Sequence, residues 1–329
     1  MGKRRAAYAG LSSFVSELSS ASASSLPAHH PARIEVAQTS PHPPKKRKVE
    51  ELRKGKDFCD ATGLVPFYTN ADEVPEHLQK YYSQRHRYFS LYDSGCLLDE
   101  EGWYSVTPER IADQIAERCR CDVILDAFCG VGGNAIAFAK TCERVIALDN
   151  SPTRLALARH NAAIYGVSDR IEFILTDYLS FAESYLASLP VGGNEANKTK
   201  RGKIDVVFLS PPWGGPSYLS GSVDASEVAL FPDESLSSPH PDYSLSHIKP
   251  IPGADLFALT RKITRNVAFY LPRNTRLAEI SSLVDGEVRV PPGGLEEERI
   301  EVEEEWMGSK LKALCCYFGG LVSGQEEWF

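Results

Sequence analysis

The sequence predicts an α/β fold: a mostly parallel sheet covered by helices on both faces, preceded by a small helical segment. Three observations predict it. Between Val123 and Leu209, short continuous apolar runs alternate with helical patterns, the order that parallel strands and crossover helices require. A glycine-rich turn, Gly130-Val-Gly-Gly133, follows the first of these runs, where a strand would hand over to a helix. With 329 residues and 43% hydrophobic content, the chain can bury one sizeable core.

The elements follow in order. Residues 1–56 are rich in Ser, Ala, Pro and Lys and lack sustained apolar periodicity, so disorder is expected there. Residues 57–121 form the helical segment. Glu76 to Tyr92 suggests one or two helices, and Thr107-Pro108 reads as an N-cap and first position of a helix running to about Arg118. The core, 122–320, opens with strand Val123–Phe128, helix Gly132–Thr141, strand Arg144–Asp149 and helix Pro152–Tyr165. Strand Ile171–Asp177, a helix over Tyr178–Ser188, a polar loop Gly192–Lys203 and strand Ile204–Leu209 come next. A helix Ala254–Thr264, strand Asn266–Leu271 and helix Arg276–Val284 precede a hairpin of Arg299–Glu305 and Leu311–Phe318; residues 321–329 are a tail.

The net charge of −8 argues against broad, sequence-independent binding to a nucleic-acid backbone. The charge is uneven. Eleven Lys/Arg against six Asp/Glu precede Ala61, which leaves about −13 for the rest of the chain, so an anionic ligand of the core needs a local basic site. No apolar run reaches membrane-spanning length, and the start of the chain lacks the apolar segment of a secretory signal. The eight cysteines form no C-x-x-C pair and read as thiols of a reducing compartment. Pro43 to Glu50 carries the basic run Lys45, Lys46, Arg47 and Lys48, which resembles a nuclear localisation signal recognised by an import receptor.

At the first strand-to-helix turn, Asp126-Ala-Phe-Cys-Gly-Val-Gly-Gly-Asn134 suits close approach to a ligand at the carboxyl ends of the strands. Asp149 ends the second strand, where an acid can accept from ribose hydroxyls, and Asp177 ends the third, where it can accept from an adenine amino group. Gly130, Gly132 and Ala135 also satisfy the looser dinucleotide fingerprint, so a dehydrogenase is the rival. Asp126 separates the two: its charge repels a pyrophosphate and suits the sulfonium and amino-acid tail of S-adenosylmethionine. Taken singly, each of these acids can also be a helix cap.

Ser210-Pro211-Pro212-Trp213 ends the fourth strand. It resembles the tetrapeptide with which class I methyltransferases hold an exocyclic amine. The Ser210 oxygen and the Pro211 carbonyl would accept the two amine protons and direct its lone pair at the methyl donor, while Trp213 stacks on the base. Proline fixes the backbone carrying these acceptors. Since the proton can leave after transfer, no strong general base is required.

Four blocks together, the Asp126–Asn134 turn, Ser210–Pro216, Tyr270-Leu-Pro-Arg-Asn274 and Gly102-Trp-Tyr-Ser-Val-Thr-Pro-Glu109, resemble the trimethylguanosine synthase family of RNA cap guanosine-N2 methyltransferases. The resemblance runs from about Gln79 to Gly320. It implies a Rossmann-like class I methyltransferase fold with a seven-stranded sheet. It also implies transfer of two methyl groups from S-adenosylmethionine to the 2-amino group of 7-methylguanosine caps on small nuclear and small nucleolar RNAs.

The donor would be held by Asp126, Phe128, Gly130, Gly132, Asn134, Asp149, Asp177 and, by the resemblance, Thr107. N7 methylation makes the guanine cationic, so Trp213 would hold it with a cation–π component of about 1–3 kcal/mol. Arg273 and Asn274 at the end of the fifth strand are candidates for the triphosphate side, with Lys80 and Arg85 on the other. A solvated helix face explains Lys80 and Arg85 as well, and Trp103 reads as core. A monomer in the nucleus, including the nucleolus, with no membrane partner is expected. Between Trp213 and Arg273 a Ser/Pro/Asp-rich insertion covers about Gly221 to Tyr243. Another amine methyltransferase, for adenine or for transfer RNA guanine, and a non-catalytic cap-binding adaptor are the alternatives.

Overall fold

The structure is a computed structural model that describes residues 60–189, 203–214, 242–285, 288–289 and 296–322. The basic run Lys45, Lys46, Arg47 and Lys48, most of the Gly192–Lys203 loop, nearly all of the Gly221–Tyr243 insertion and the end of the tail lie outside the described residues. A seven-stranded sheet forms the centre, in the order β3-β2-β1-β4-β5-β9-β8. The strands are β1 (Val123–Asp126), β2 (Arg144–Asp149), β3 (Ile171–Leu175), β4 (Val206–Leu209), β5 (Val267–Pro272), β8 (Ile300–Met307) and β9 (Lys310–Phe318). β1 to β5 pair in parallel, and β9 joins β5 and β8 antiparallel. A two-stranded ribbon that the sequence reading lacked, β6 (Val288–Arg289) with β7 (Glu296–Glu297), stands apart.

The apolar runs dictate this centre. All four residues of β4 and all six of β5 are buried, which only a sheet covered on both faces allows. Helices α4 (Glu109–Arg118), α5 (Gly133–Thr141) and α6 (Pro152–Tyr165) pack one face. Helices α7 (Tyr178–Ser188), α8 (Gly253–Arg261) and α9 (Leu277–Ser282) pack the other. None of the described helices is long and apolar enough to cross a membrane.

Ahead of the sheet, two single-turn helices, α1 (Gln79–Tyr82) and α2 (Arg85–Tyr88), stand where one or two helices were expected. A third, α3 (Glu100–Ser105), was not anticipated; the Asp99 carboxylate caps it by accepting from Gly102 N at 2.8 Å. The Thr107 reading is corrected. Pro108 is the N-cap of α4 and Thr107 precedes it, its hydroxyl turned instead to Asn134.

This segment has no core of its own. Trp103 packs against Tyr92 and Tyr82 at ring distances of 5.6 and 6.1 Å, and all three belong to the same buried cluster as Phe138, Val145 and Phe208. Polar side chains of α6 fasten it. Asn161, fully buried, accepts from Leu97 N at 2.8 Å and donates to Leu97 O and Val131 O, both at 2.9 Å. His160 accepts from Ala61 N through Nδ1, so its Nε2 carries the proton donated to Gly95 O at 3.0 Å.

Candidate active site

From β1 the chain winds outward through β2 and β3, then returns to β4 on the other side of β1. The carboxyl ends of β1 and β4 therefore border the switch point where open α/β sheets bind ligands. A cavity of about 1190 Å³ opens there, walled by the ends of β1, β2, β4 and β5, by residues 80–108 and by the β8–β9 hairpin. Pockets for a single small ligand run to roughly 300–1,000 Å³. This one has room for a donor and an acceptor together.

On the donor side, Phe128, Gly130, Asn134 and Asp149 line the cavity. Asp149 is almost buried; its two oxygens accept from Gly130 N at 3.0 Å and Ser151 N at 2.8 Å, which fixes the glycine-rich turn against the end of β2. Burial raises its carboxyl above the ordinary value. Thr107 lines the cavity too, its hydroxyl accepting from Asn134 Nδ2 at 3.0 Å. Phe128 leans on Tyr178 at 5.7 Å and offers an apolar wall. Asp177 reaches the cavity but does not end β3, which stops at Leu175. Its side chain caps α7, accepting from Ser180 N at 2.9 Å, and that bond holds its carboxyl below the usual range.

Two residues of the turn stand back from the cavity. Gly132 does not line the cavity; its φ of +93° and its contact with α6, where an added Cβ would lie 3.1 Å from Ala158 Cβ, make it a packing glycine. Asp126 does not line the cavity either. It is fully buried beneath the turn, because the side chain at the end of β1 points into the layer that α5 covers. Burial pushes its carboxyl up to about 7, against the opposing pull of the Phe128 and Ala135 backbone N–H groups, and neither carboxylate oxygen makes a close hydrogen bond among the described residues. The buried Oδ1 of Asn134, on the cavity wall, likewise has no partner among them. A buried acid and an amide oxygen that lack close partners beside a glycine-rich turn fit a cationic ligand with N–H donors, as S-adenosylmethionine is, and not a pyrophosphate.

On the acceptor side, Ser210 Oγ donates to Phe128 O at 3.4 Å, which leaves its lone pairs to accept from a ligand. Pro211 is buried and lines the cavity with it. Trp213 is not a side chain standing free on an exposed turn. It is half-buried, its ring tilted 33° against Tyr270 at 5.4 Å, and Tyr243 Oη donates to its carbonyl at 3.5 Å. Tyr270 was overlooked as a site residue. The register Leu209↔Phe269 places it next to Ser210, and that signal was available once β4 and β5 were neighbours.

Several cations also line the cavity. Arg273 lines it, donating through Nη1 to Leu311 O at 3.2 Å, and so does Lys80, 4.9 Å from the Tyr81 ring centre. Arg87, Lys249, Lys310 and Lys312 also line it, none of which sequence reasoning singled out. Arg85 and Asn274 do not. Arg85 lies over the Tyr82 ring at 4.3 Å and donates to Tyr82 O, so packing turns it away. Asn274 follows β5, where its carbonyl accepts from Tyr243 N at 2.8 Å and its side chain faces the protein interior.

Comparison with known proteins agrees with this geometry. The profile of a family described as RNA cap guanine-N2 methyltransferase matches residues 121–226 and 238–321. The chain is 36% identical over 256 residues to trimethylguanosine synthase of Schizosaccharomyces pombe, an alignment covering 74% of this chain and 87% of that relative. It is 34% identical over 211 residues to trimethylguanosine synthase of Saccharomyces cerevisiae, covering 62% of this chain and 57% of that relative.

Proposed function

This chain belongs to the RNA cap guanine-N2 methyltransferase family, and from that premise we propose that it completes the caps of small nuclear and small nucleolar RNAs. It is an S-adenosylmethionine-dependent methyltransferase. In this reading it transfers two methyl groups in succession to the 2-amino group of a 7-methylguanosine cap, giving 2,2,7-trimethylguanosine. The observation that carries the reading is Trp213 seated on Tyr270 directly after Ser210-Pro211-Pro212, in one cavity with the donor turn and a group of cations.

When bound, S-adenosylmethionine supplies an electrophilic methyl group on a sulfonium. The chain would hold it with the Gly130–Asn134 turn and Asp149, with Asp126 balancing its positive charge from beneath. Trp213 and Tyr270 form a two-ring stack that presents a π face to a cationic guanine and sets the line of attack. Ser210 Oγ, its proton already committed to Phe128 O, accepts one amine N–H. The Pro211 carbonyl accepts the other, so the lone pair is turned away from the ring and towards the methyl group. The proton released afterwards passes to solvent. Arg273, Lys80, Lys310 and Lys312 supply the positive charge a cap triphosphate needs on an otherwise acidic chain.

The basic run from Lys45 to Lys48 supports import into the nucleus, nucleolus included, through an import receptor; a monomer suffices because the cavity is walled within one chain. The test incubates the protein and radiolabelled S-adenosylmethionine with RNA carrying either a 7-methylguanosine or an unmethylated guanosine cap. Label on the first alone, recovered as 2,2,7-trimethylguanosine after nuclease digestion, is expected. Equal labelling of both RNAs would overturn the reading, and label in internal adenine or guanine would point to a different amine.

A further inference from the structure

The end of the sheet opposite the cavity carries a thiol pair that methyl transfer does not use. Cys121 precedes β1, Cys142 follows α5, and their Sγ atoms lie 3.9 Å apart. The backbones suit a covalent link. Val123 stands opposite Arg144 in the parallel β1–β2 pair. The pairing carries on below the strands, with Arg144 N donating to Asp122 O at 2.9 Å and Glu143 N to Cys121 O at 3.4 Å. Followed back by that register, Cys121 faces Cys142 at about the 4.8 Å spacing of adjacent strands, inside the ~4.4–6.8 Å Cα range of disulfides.

The pair is also chemically ready. Cys121 is partly exposed and gives a small oxidant its entry, while Cys142 is buried behind it. A proton held between the two sulfurs eases the first ionisation: the Cys121 hydrogen bond draws the Cys142 thiol down to about 7 and lifts Cys121. The Thr141 hydroxyl, 3.7 Å from Cys142 Sγ, works in the same direction.

We propose that Cys121 and Cys142 form a reversible disulfide when the protein meets a low-molecular-weight peroxide. The Cys142 thiolate attacks a peroxide oxygen; the O–O bond breaks, hydroxide leaves and is protonated to water, and Cys142 becomes a sulfenic acid. The Cys121 sulfur then attacks that sulfur. The S–S bond forms, the S–O bond breaks, and hydroxide departs with the Cys121 proton as a second water. Two thiols are oxidised and one peroxide is reduced. The resulting ring encloses β1, the glycine-rich turn and α5, so oxidation staples the unit that holds the donor side of the cavity.

The full chain is reduced, freed of reductant, treated with one equivalent of hydrogen peroxide, alkylated and digested with trypsin, which cuts at Lys140 between the two cysteines. A linked peptide pair whose fragment ions place the bond at Cys121 and not Cys129 is expected, and dithiothreitol reverses it. The melting temperature rises by about 5 °C on oxidation, as closing a loop of this length predicts. Cys142→Ser abolishes both effects, and Cys119→Ser leaves both. If Cys142→Ser fails to fold, the wild-type peptide map and Cys121→Ser decide. A map in which Cys142 appears only as sulfinic acid, stays reduced, or links to Cys119 overturns the proposal.

Discussion

Two glycines two residues apart in the donor turn separate stability from ligand binding. At Gly132 an added methyl group would meet the backbone and side chain of Ala158, with Cβ 3.1 Å, Cα 3.2 Å and O 3.4 Å away. α6 cannot withdraw there, because Asn161, one turn on, is fastened to the N-terminal segment and to Val131. Overpacking of this kind costs roughly 1–3 kcal/mol, and a left-handed backbone adds roughly 1–2 kcal/mol for a residue with a side chain. The stiffer unfolded chain returns ~0.4–1 kcal/mol. Gly132→Ala is therefore expected to lose about 1–4.6 kcal/mol, a sizeable share of a domain's usual stability. At Gly130 the methyl group meets nothing within 4 Å, although φ is +52°, and Gly130 lines the cavity. Gly130→Ala is expected to stay within about 1 kcal/mol of the wild type in stability, since strain and unfolded-state entropy nearly offset each other. It should bind S-adenosylmethionine at least tenfold more weakly. Urea titration gives the first quantity, from shifted midpoints at an unchanged slope, and calorimetry with the donor gives the second. An unshifted midpoint for Gly132→Ala, or equal destabilisation by both substitutions, would refute the assignment of packing to one glycine and contact to the other.

Further expectations concern charge. Burial raises the carboxyls of Asp126 and Glu305 to about 7 each, so the native state keeps protons there that the unfolded chain has already released. Stability from these groups is thus fully present below about pH 4 and is lost as pH rises through 7. Urea midpoints should fall between pH 5 and 8, and Asp126→Asn or Glu305→Gln should flatten that fall; an unchanged pH profile in both variants counts against the buried-acid assignment. Donor affinity should increase with pH over the same interval, because a cation near Asp126 favours its ionised form; calorimetry in two buffers of different ionisation enthalpy would register the released proton. The double variant Lys310→Ala with Lys312→Ala should weaken binding of capped RNA and reduce its salt slope by about 1–2, whereas an unaltered slope would place the phosphates elsewhere. Trp213→Ala should cost roughly 1–3 kcal/mol in cap-analogue affinity while leaving donor affinity intact, and equal loss of both would indicate a collapsed cavity.

Much of this was legible because the β4 and β5 runs are apolar at every position, a pattern that parallel strands buried on both faces share with little else. The order of strands brings the Asp126–Asn134 turn beside Ser210-Pro-Pro-Trp without any help from side-chain detail. What escaped was orientation and long-range return. No periodicity tells whether Asp126 points at the cavity or beneath it, since that depends on how the turn seats on α5. Gly132 looked like Gly130 until Ala158, on a different helix, was seen to press on it. Arg85 and Lys80 share a basic, aromatic stretch, and only the packing of Tyr82 and Tyr92 sends one inward and leaves the other at the cavity. Lys310 and Lys312 were hidden because the hairpin that carries them folds back beside β5, about 40 residues on. The short helix Glu100–Ser105 went unseen since Gly102 sits in its middle; there the Asp99 cap and close contact with Val131 favour glycine over any larger residue.

The fastening of the N-terminal segment by His160 and Asn161 has a consequence for modularity. Among class-wide sheets of this kind it is natural to regard strands β1 to β5 as the transferable unit and everything before them as an addition. Here, a chain begun at Val123 would cost Asn161 two of its three bonds, those to Leu97, and His160 its bonds to Ala61 and Gly95. Each lost bond costs about 0.5–1.5 kcal/mol. The wall over the cavity and the sheet beneath it are therefore inherited together: neither can be exchanged, shortened or grafted while α6 keeps these two residues.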